Sequence, residues 1–168
     1  MAQELEIKVR RAKARDAELI AAFVNRALQG QAMIDRLAVI QRLGSVGFLL
    51  AERNGELLGL LGWQAENLVA RVTDFLVWPS SERVPAGRPL LAAMEQAAGE
   101  LQCEAVLLFQ RASDKAQVLE FWKMFGYEPR MVVDLPKVWQ EAAREAPGGD
   151  DGTVLVKQLR DRRVVRPF

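Results

Sequence analysis

The 168 residues contain no histidine, and that absence excludes more chemistry than any other feature of the composition. Serine hydrolases that depend on histidine, their cysteine relatives, and zinc sites of the usual cysteine and histidine kind are ruled out. A proton moved near neutral pH has to travel through a carboxylate, a lysine, a thiol, water or Tyr127, the only tyrosine. Cys103 is the only cysteine, so internal disulfides are excluded. With no imidazole to activate it, that thiol reads as a small buried apolar residue rather than a nucleophile. No apolar run approaches the roughly 18 residues of a membrane span, and Met1 to Arg11 lacks the apolar stretch of a signal peptide. Charge of one sign is also missing: 23 basic against 22 acidic residues leave a net charge of +1, which gives neither nucleic acid nor a membrane surface an electrostatic hold. The expectation is a cytoplasmic protein with no metal site, no nucleic-acid partner and no membrane partner.

What is present is a chain half apolar and 27% charged, long enough for one core. A single domain over residues 1–160 is expected, followed by a basic tail over 161–168 that carries Arg162, Arg163 and Arg166. Glu6 to Arg10 reads as a short strand. Leu19, Ile20, Phe23, Val24, Ala27 and Leu28 then share one helical face over 14–28, with Asp16 and Glu18 in the first turn, where negative charge suits the helix dipole. Met33 to Leu43 repeats the pattern and Gly44 stops it. Phe48 to Glu52 and Leu57 to Trp63 are strand-like runs joined through Asn54-Gly55, a hairpin signal because both residues tolerate positive φ. Val69 to Val77 is a third consecutive strand.

Residues 80–89 are a loop by composition, and the helix after them carries Leu90, Leu91, Met94, Ala97, Ala98 and Leu101, with Pro89 in its first turn. Ala105 to Phe109 is a continuous apolar strand of the doubly buried kind. Ser113 caps a helix with Val118, Leu119, Phe121, Trp122 and Phe125 on its apolar face, closed by Gly126. Met131 to Leu135 reads as a strand, 136–146 as a charged helix, 147–152 as a turn-rich loop and Thr153 to Leu159 as the last strand.

Several segments resemble one family. Val9-Arg10-Arg11-Ala12 with Asp16-Ala17 and Ile20, Phe48-Leu49-Leu50-Ala51-Glu52 followed by Asn54-Gly55-Glu56-Leu57-Leu58-Gly59, Phe75-Leu76-Val77-Trp78-Pro79, and Phe121-Trp122 with Gly126-Tyr127 are similar, in that order, to the GNAT (acyl-CoA N-acyltransferase) superfamily. The resemblance covers nearly the whole chain. It implies an α/β (α+β) fold with a mixed, largely antiparallel central sheet of about six or seven strands, flanked by helices on both faces. It also implies that the fourth and fifth strands splay and that the pantetheine arm of acetyl-CoA, or another acyl-CoA, lies along the fourth strand at Leu76 and Val77.

The family's pyrophosphate loop, Q/R-x-x-G-x-G/A, falls on Glu82-Arg83-Val84-Pro85-Ala86-Gly87. The cofactor-binding residues implied are Arg83, Val84, Ala86, Gly87 and Arg88. Only the last glycine is kept. Pro85 has no N–H to donate, and losing a charge-assisted hydrogen bond costs about 1.5–3 kcal/mol. Glu82 replaces Gln or Arg, and a carboxylate about 5 Å from a phosphate repels it by about 1 kcal/mol in water and about 3 at an effective dielectric of 20. The place of the family's acid tyrosine holds Trp122, which cannot act as that acid. Asp74, and less so Glu66, stand where the family sometimes has its base. The resemblance therefore implies acetyl-CoA-dependent N-acetylation of a small-molecule or peptide amine by direct attack, with coenzyme binding weakened. The alternative that stays open is a GNAT-fold module that binds a ligand or dimerises without catalysis. Family habit points to a homodimer. Trp63, Trp78 and Trp139 are candidates for lining a cleft, with core or interface packing as the other role for each.

Overall fold

The computed structural model describes residues 6–31, 33–109, 116–144 and 153–160. Among them are strands β1 (Lys8–Arg11), β2 (Gly47–Arg53), β3 (Glu56–Glu66), β4 (Val69–Val77), β5 (Ala105–Phe109), β6 (Glu128–Met131) and β7 (Thr153–Gln158). The helices are α1 (Ala17–Ala27), α2 (Arg36–Leu43), α3 (Arg83–Glu100), α4 (Ala116–Met124) and α5 (Lys137–Arg144). The sheet order is β1-β2-β3-β4-β5-β7-β6. β1 with β2, β2 with β3, β5 with β7 and β6 with β7 run antiparallel, whereas β4 and β5 are parallel, as a crossover through α3 requires. This is the mixed, largely antiparallel sheet expected from the sequence. Ser113, the end of the 136–146 helix, the 147–152 loop and the basic tail lie outside the described residues.

The chain forms two compact units, one of residues 1–64 and 73–94 and one of residues 65–72 and 95–168. In the first, the amphipathic face of α1 buries Ala17, Ile20, Ala21 and Phe23 with Val39 of α2 and with Phe48, Leu50, Leu57 and Leu60 of the hairpin. That face exists because these positions recur at helical spacing. Asp35 caps α2 by accepting the Ala38 N–H at 2.9 Å, a contact worth about 1 kcal/mol. Asn25 ties α1 to the approach of α2, bonding both the N–H and the C=O of Ile34 at 2.8 Å. Asn54 and Gly55 turn the hairpin at φ of 52° and 78°, as their identity foretold.

In the second unit Val69, Ala105, Leu107, Val154 and Val156 pack with Val132, Leu135, Trp139, Ala142 and Ala143. Trp139 hands its indole N–H to Glu104 at 2.9 Å and is buried in this core. Tyr127 is fully buried and meets Trp122 edge-on with centroids 5.2 Å apart. Its hydroxyl donates to Glu95 at 3.0 Å, and Lys157 pairs with the same carboxylate at 2.9 Å.

Three sequence-based boundaries are corrected. Helix 14–28 is a 3-10 turn over Ala14–Asp16 followed by α1. The strand expected over Met131 to Leu135 is β6, ending at Met131, and then a 3-10 turn over Val132–Asp134. A spacing of three buries both Val132 and Leu135 in that turn, which the continuous apolar run concealed. Pro129 fits in β6 because β6 is the last strand of the sheet order. The 80–89 loop is helical: a 3-10 turn over Ser80–Glu82 leads straight into α3 at Arg83, which puts Pro89 in the second turn, not the first. Pro85 does not break the first turn, where its missing N–H has no intrahelical acceptor, whereas Pro89 stands inside the helix and forgoes one i→i−4 bond; composition alone therefore overstates the loop.

One ion-pair cluster fastens β1 to the start of α1. Arg10 forks onto Asp16 with two contacts of 2.8 Å and reaches Glu52 at 2.9 Å, while the Lys13 N–H donates to Asp16 at 2.7 Å. Asp16 is 6% exposed. The Arg10 hydrogen bonds hold its carboxyl down from 3.8 to about 2. A depressed carboxylate stabilises fully above its unfolded pKa of 3.8 and loses that contribution as the pH falls through about 2. Asp16→Asn is expected to lower unfolding free energy at pH 7 by about 2 kcal/mol and to flatten the acid limb of stability, measured by denaturant titration across pH 2–7. An unchanged acid limb would contradict this assignment.

Candidate functional site

The end of β4 and the start of α3 belong to the first unit, and backbone parity sets what they present. The Trp78 N–H donates to the Leu58 carbonyl at 2.9 Å. In an antiparallel pair a residue turns its N–H and C=O to the same neighbour and the next residue turns them away. Trp78 and Leu76 thus address β3, and Val77 addresses the opposite edge. Consistently, the Leu76 carbonyl lies 3.3 Å from where a Cβ on Gly59 would stand. The β4–β5 ladder runs from Val69↔Ala105 to Val72↔Leu108, while β4 continues to Val77. Of the two strand residues implied for the cofactor, Val77 has the outward main chain, and Leu76 does not.

At the head of α3 four N–H positions lack intrahelical acceptors by geometry, those of Glu82, Arg83, Val84 and Pro85. Glu82 donates to Pro79 at 2.9 Å and Arg83 donates to Ser80, both within the preceding 3-10 turn. Pro85 has no N–H. Of these four positions only Val84 keeps an amide to offer an anion, beside the half-buried Arg83 side chain and the helix dipole. Ala86 and Gly87 are buried, and Arg88 is exposed.

Glu82 does not meet a ligand as a bare charge. Arg53, at the end of β2, forks onto it at 2.8 and 3.0 Å, and these hydrogen bonds hold the Glu82 carboxyl below its usual range. The repulsion expected from sequence is therefore largely offset.

Asp74 stands on β4 with its carboxylate half-exposed. Its Oδ2 accepts from Arg42 of α2 at 2.8 Å and from the Thr73 hydroxyl at 2.7 Å. A Cβ on Gly62 would stand 2.6 Å from that oxygen, 2.9 Å from Phe48 and 3.0 Å from Thr73 Oγ1. The bare α-carbon of Gly62 makes room for the group, the close approach that an isolated glycine inside a strand signals. Glu66 closes β3 in the second unit.

Sequence reasoning missed Arg42, Arg53 and Thr73. Arg42 and Arg53 look like solvated surface charges until tertiary contacts pair them, whereas Gly62 carried a readable signal. Trp122 is a core aromatic, 3% exposed. Burial, then the neighbouring Glu95 carboxylate, pushes the Tyr127 hydroxyl far up, so it stays protonated and moves no proton near neutral pH. Trp78 packs against the first unit's core. No described helix is long and apolar enough to cross a membrane.

No functionally curated protein matches the chain. Among solved structures it is similar to N-acetylglutamate synthase from Neisseria gonorrhoeae complexed with coenzyme A and N-acetyl-glutamate, at 20% identity and a TM-score of 0.68, over 95% of this chain and 37% of that one. The chain thus spans little more than a third of that relative. It is similar over nearly full lengths to a GNAT-family acetyltransferase of Staphylococcus aureus Mu50 (16% identity, TM-score 0.69, 92% and 99% covered). A third is the PaiA N-acetyltransferase of Thermoplasma acidophilum in complex with coenzyme A (12% identity, TM-score 0.67, 92% and 99% covered). These likenesses share the fold. The model of the Acetyltransferase (GNAT) family matches residues 17–127, which takes in α1, the meander, the β4–α3 junction and the Trp122–Tyr127 corner, and the chain belongs to that family.

Proposed function

We propose that the protein is an acetyl-CoA-dependent N-acyltransferase in which an amine attacks the thioester directly. The observation that supports it best is the junction in the first unit, where β4 outruns its ladder with β5, turns the Val77 main chain outward and leads into the head of α3. These residues fit the coenzyme with a reduced set of donors. Val77 would pair with the pantetheine amides. The Val84 amide, the Arg83 side chain and the dipole of α3 would hold the pyrophosphate, with Arg88 at the rim. Bound acetyl-CoA would supply an activated acetyl group. Asp74 would take the proton the amine gives up, directly or through water. Trp122 has no acidic proton to give and the Tyr127 hydroxyl is bonded to Glu95, so neither would protonate a departing thiolate; water could do so. Proximity in a ternary complex supplies most of the acceleration.

A GNAT-fold module that does not catalyse is favoured by one observation, the two N–H groups of the α3 turn engaged on Pro79 and Ser80 beside a third position that is proline. Thermal unfolding with acetyl-CoA separates the two. A ligand at a hundred times its Kd stabilises by about 2.7 kcal/mol, and a clear rise in Tm is expected. No rise at millimolar acetyl-CoA would favour the non-catalytic module. Pro85→Gly, which adds an amide to the turn, is expected to tighten binding about tenfold; weaker binding would refute the placement of the pyrophosphate.

Arg53→Ala should weaken acetyl-CoA binding roughly tenfold by baring Glu82, and the double variant with Glu82→Ala should recover it, as read by calorimetry. Equal Kd values across the cycle would show that neither charge faces the coenzyme. Asp74→Asn is expected to leave the acetyl-CoA Kd unchanged while lowering kcat by about two orders of magnitude. Undiminished turnover in that variant would remove Asp74 from the chemistry.

A further inference from the structure

We propose that the acceptor is an amino acid with a free carboxylate and that Arg42 is the residue that selects it; this rests on the acyltransferase reading and on Asp74 meeting the amine. Asp74 and Arg42 meet end-on, Nη2 of Arg42 donating to Oδ2 of Asp74 at 2.8 Å. The same oxygen takes the Thr73 hydroxyl at 2.7 Å and lies over the bare α-carbon of Gly62. Oδ2 is therefore the crowded inner oxygen, and a ligand approaches through Oδ1. A guanidinium has five N–H donors in a planar fork, and an end-on contact uses one of them. The two side chains are 46% and 32% exposed, so both ends of the pair are within reach of a small molecule.

Arg42 is also well placed as a fixed anchor. It lies in the last turn of α2, where positive charge suits the helix dipole. Its carbonyl accepts the N–H groups of Ser45 and Val46 at 3.1 and 3.0 Å and the Ser45 hydroxyl at 3.2 Å. The backbone behind the guanidinium is thereby pinned, and the opposed charges present a fixed dipole on the first unit.

Electrostatics then decides what the dipole accepts. A simple cationic amine arriving at Asp74 has the like charge of Arg42 beside it, and a diamine brings a second cation to the same place. An amino acid brings its own carboxylate, which Arg42 binds with the planar, two-pronged geometry that arginine offers to carboxylates. The internal contact is kept through Nη2 and Oδ2, two ion pairs are added across the interface, and the complex stays neutral. Removing the carboxylate from the substrate, as an amide does, forfeits the Arg42 contact and leaves the repulsion.

The test is acyl transfer by the full chain, read as thiol release from acetyl-CoA, with free amino acids, the matching amino acid amides and aliphatic diamines as acceptors. Free acids are expected to exceed their amides by about tenfold or more in kcat/KM. In Arg42→Ala that preference should collapse through a raised KM for the acids, and Arg42→Lys should restore part of it. The Tm rise with acetyl-CoA in each variant reports that the fold and the coenzyme site are retained. Amides or diamines used as well as acids by the wild type, or a preference that survives Arg42→Ala, would overturn the proposal. Coenzyme binding with no transfer to any acceptor would overturn the acyltransferase reading, and this inference with it.

Discussion

Two bare α-carbons on β3 carry the arrangement on which the first unit depends. Gly59 and Gly62 are three residues apart, so a strand turns them to opposite faces. On one face Gly59 lets Val77, the Leu76 carbonyl and Leu90 of α3 close to 3.1–3.3 Å of where its Cβ would be. On the other, Gly62 does the same for Asp74, Thr73 and Phe48 at 2.6–3.0 Å. A methyl group at Gly59 would press on Val77, the Leu76 carbonyl and Leu90, and one at Gly62 would collide with the Asp74 carboxylate. Both halves of the proposed chemistry hang on one strand having nothing there.

The charged residues of this unit work in pairs, and pairing changes what each can do. Glu82 in isolation would repel a pyrophosphate, but with Arg53 forked onto it the local charge is close to zero. Asp74 in isolation would present a bare negative charge, but with Arg42 end-on it presents a dipole, and the proposed selectivity for an acceptor rests on that difference. In each pair the arginine comes from a different element, the end of β2 in one and the last turn of α2 in the other, so the pairs form only when the meander and the helical pair dock correctly. Partly exposed ion pairs of this kind add little to stability, commonly 0–1 kcal/mol. Their weight falls on binding.

Much of the fold is legible in the sequence because its signals are local. Asn54-Gly55 turns the hairpin, the apolar period builds α1, and the run Ala105 to Phe109 reads as a buried strand. The errors arise where two local signals compete. The prolines and serines of 79–89 argue for a loop, yet proline is tolerated at the head of a helix and α3 starts at Arg83. Met131-Val132-Val133 argues for a strand, yet burial of Val132 and Leu135 three apart makes a 3-10 turn. Asp74 and Val77 can be placed on β4 from sequence, as can the strand-to-helix order at its end. Arg42 and Arg53 cannot, because a solvated arginine and a positioned one are spelled alike. The division between Leu76 and Val77 likewise needs the Trp78–Leu58 hydrogen bond, which fixes strand parity.

The central claim is that an acyl-CoA is held by the outward main chain of Val77 and the remaining amide at the head of α3. Backbone amide NMR during titration with coenzyme A addresses it residue by residue. Saturable shifts at the Val77 and Val84 N–H groups, larger than those at Leu76, are the outcome this geometry requires. Saturation of binding with both of those amides unmoved would contradict it.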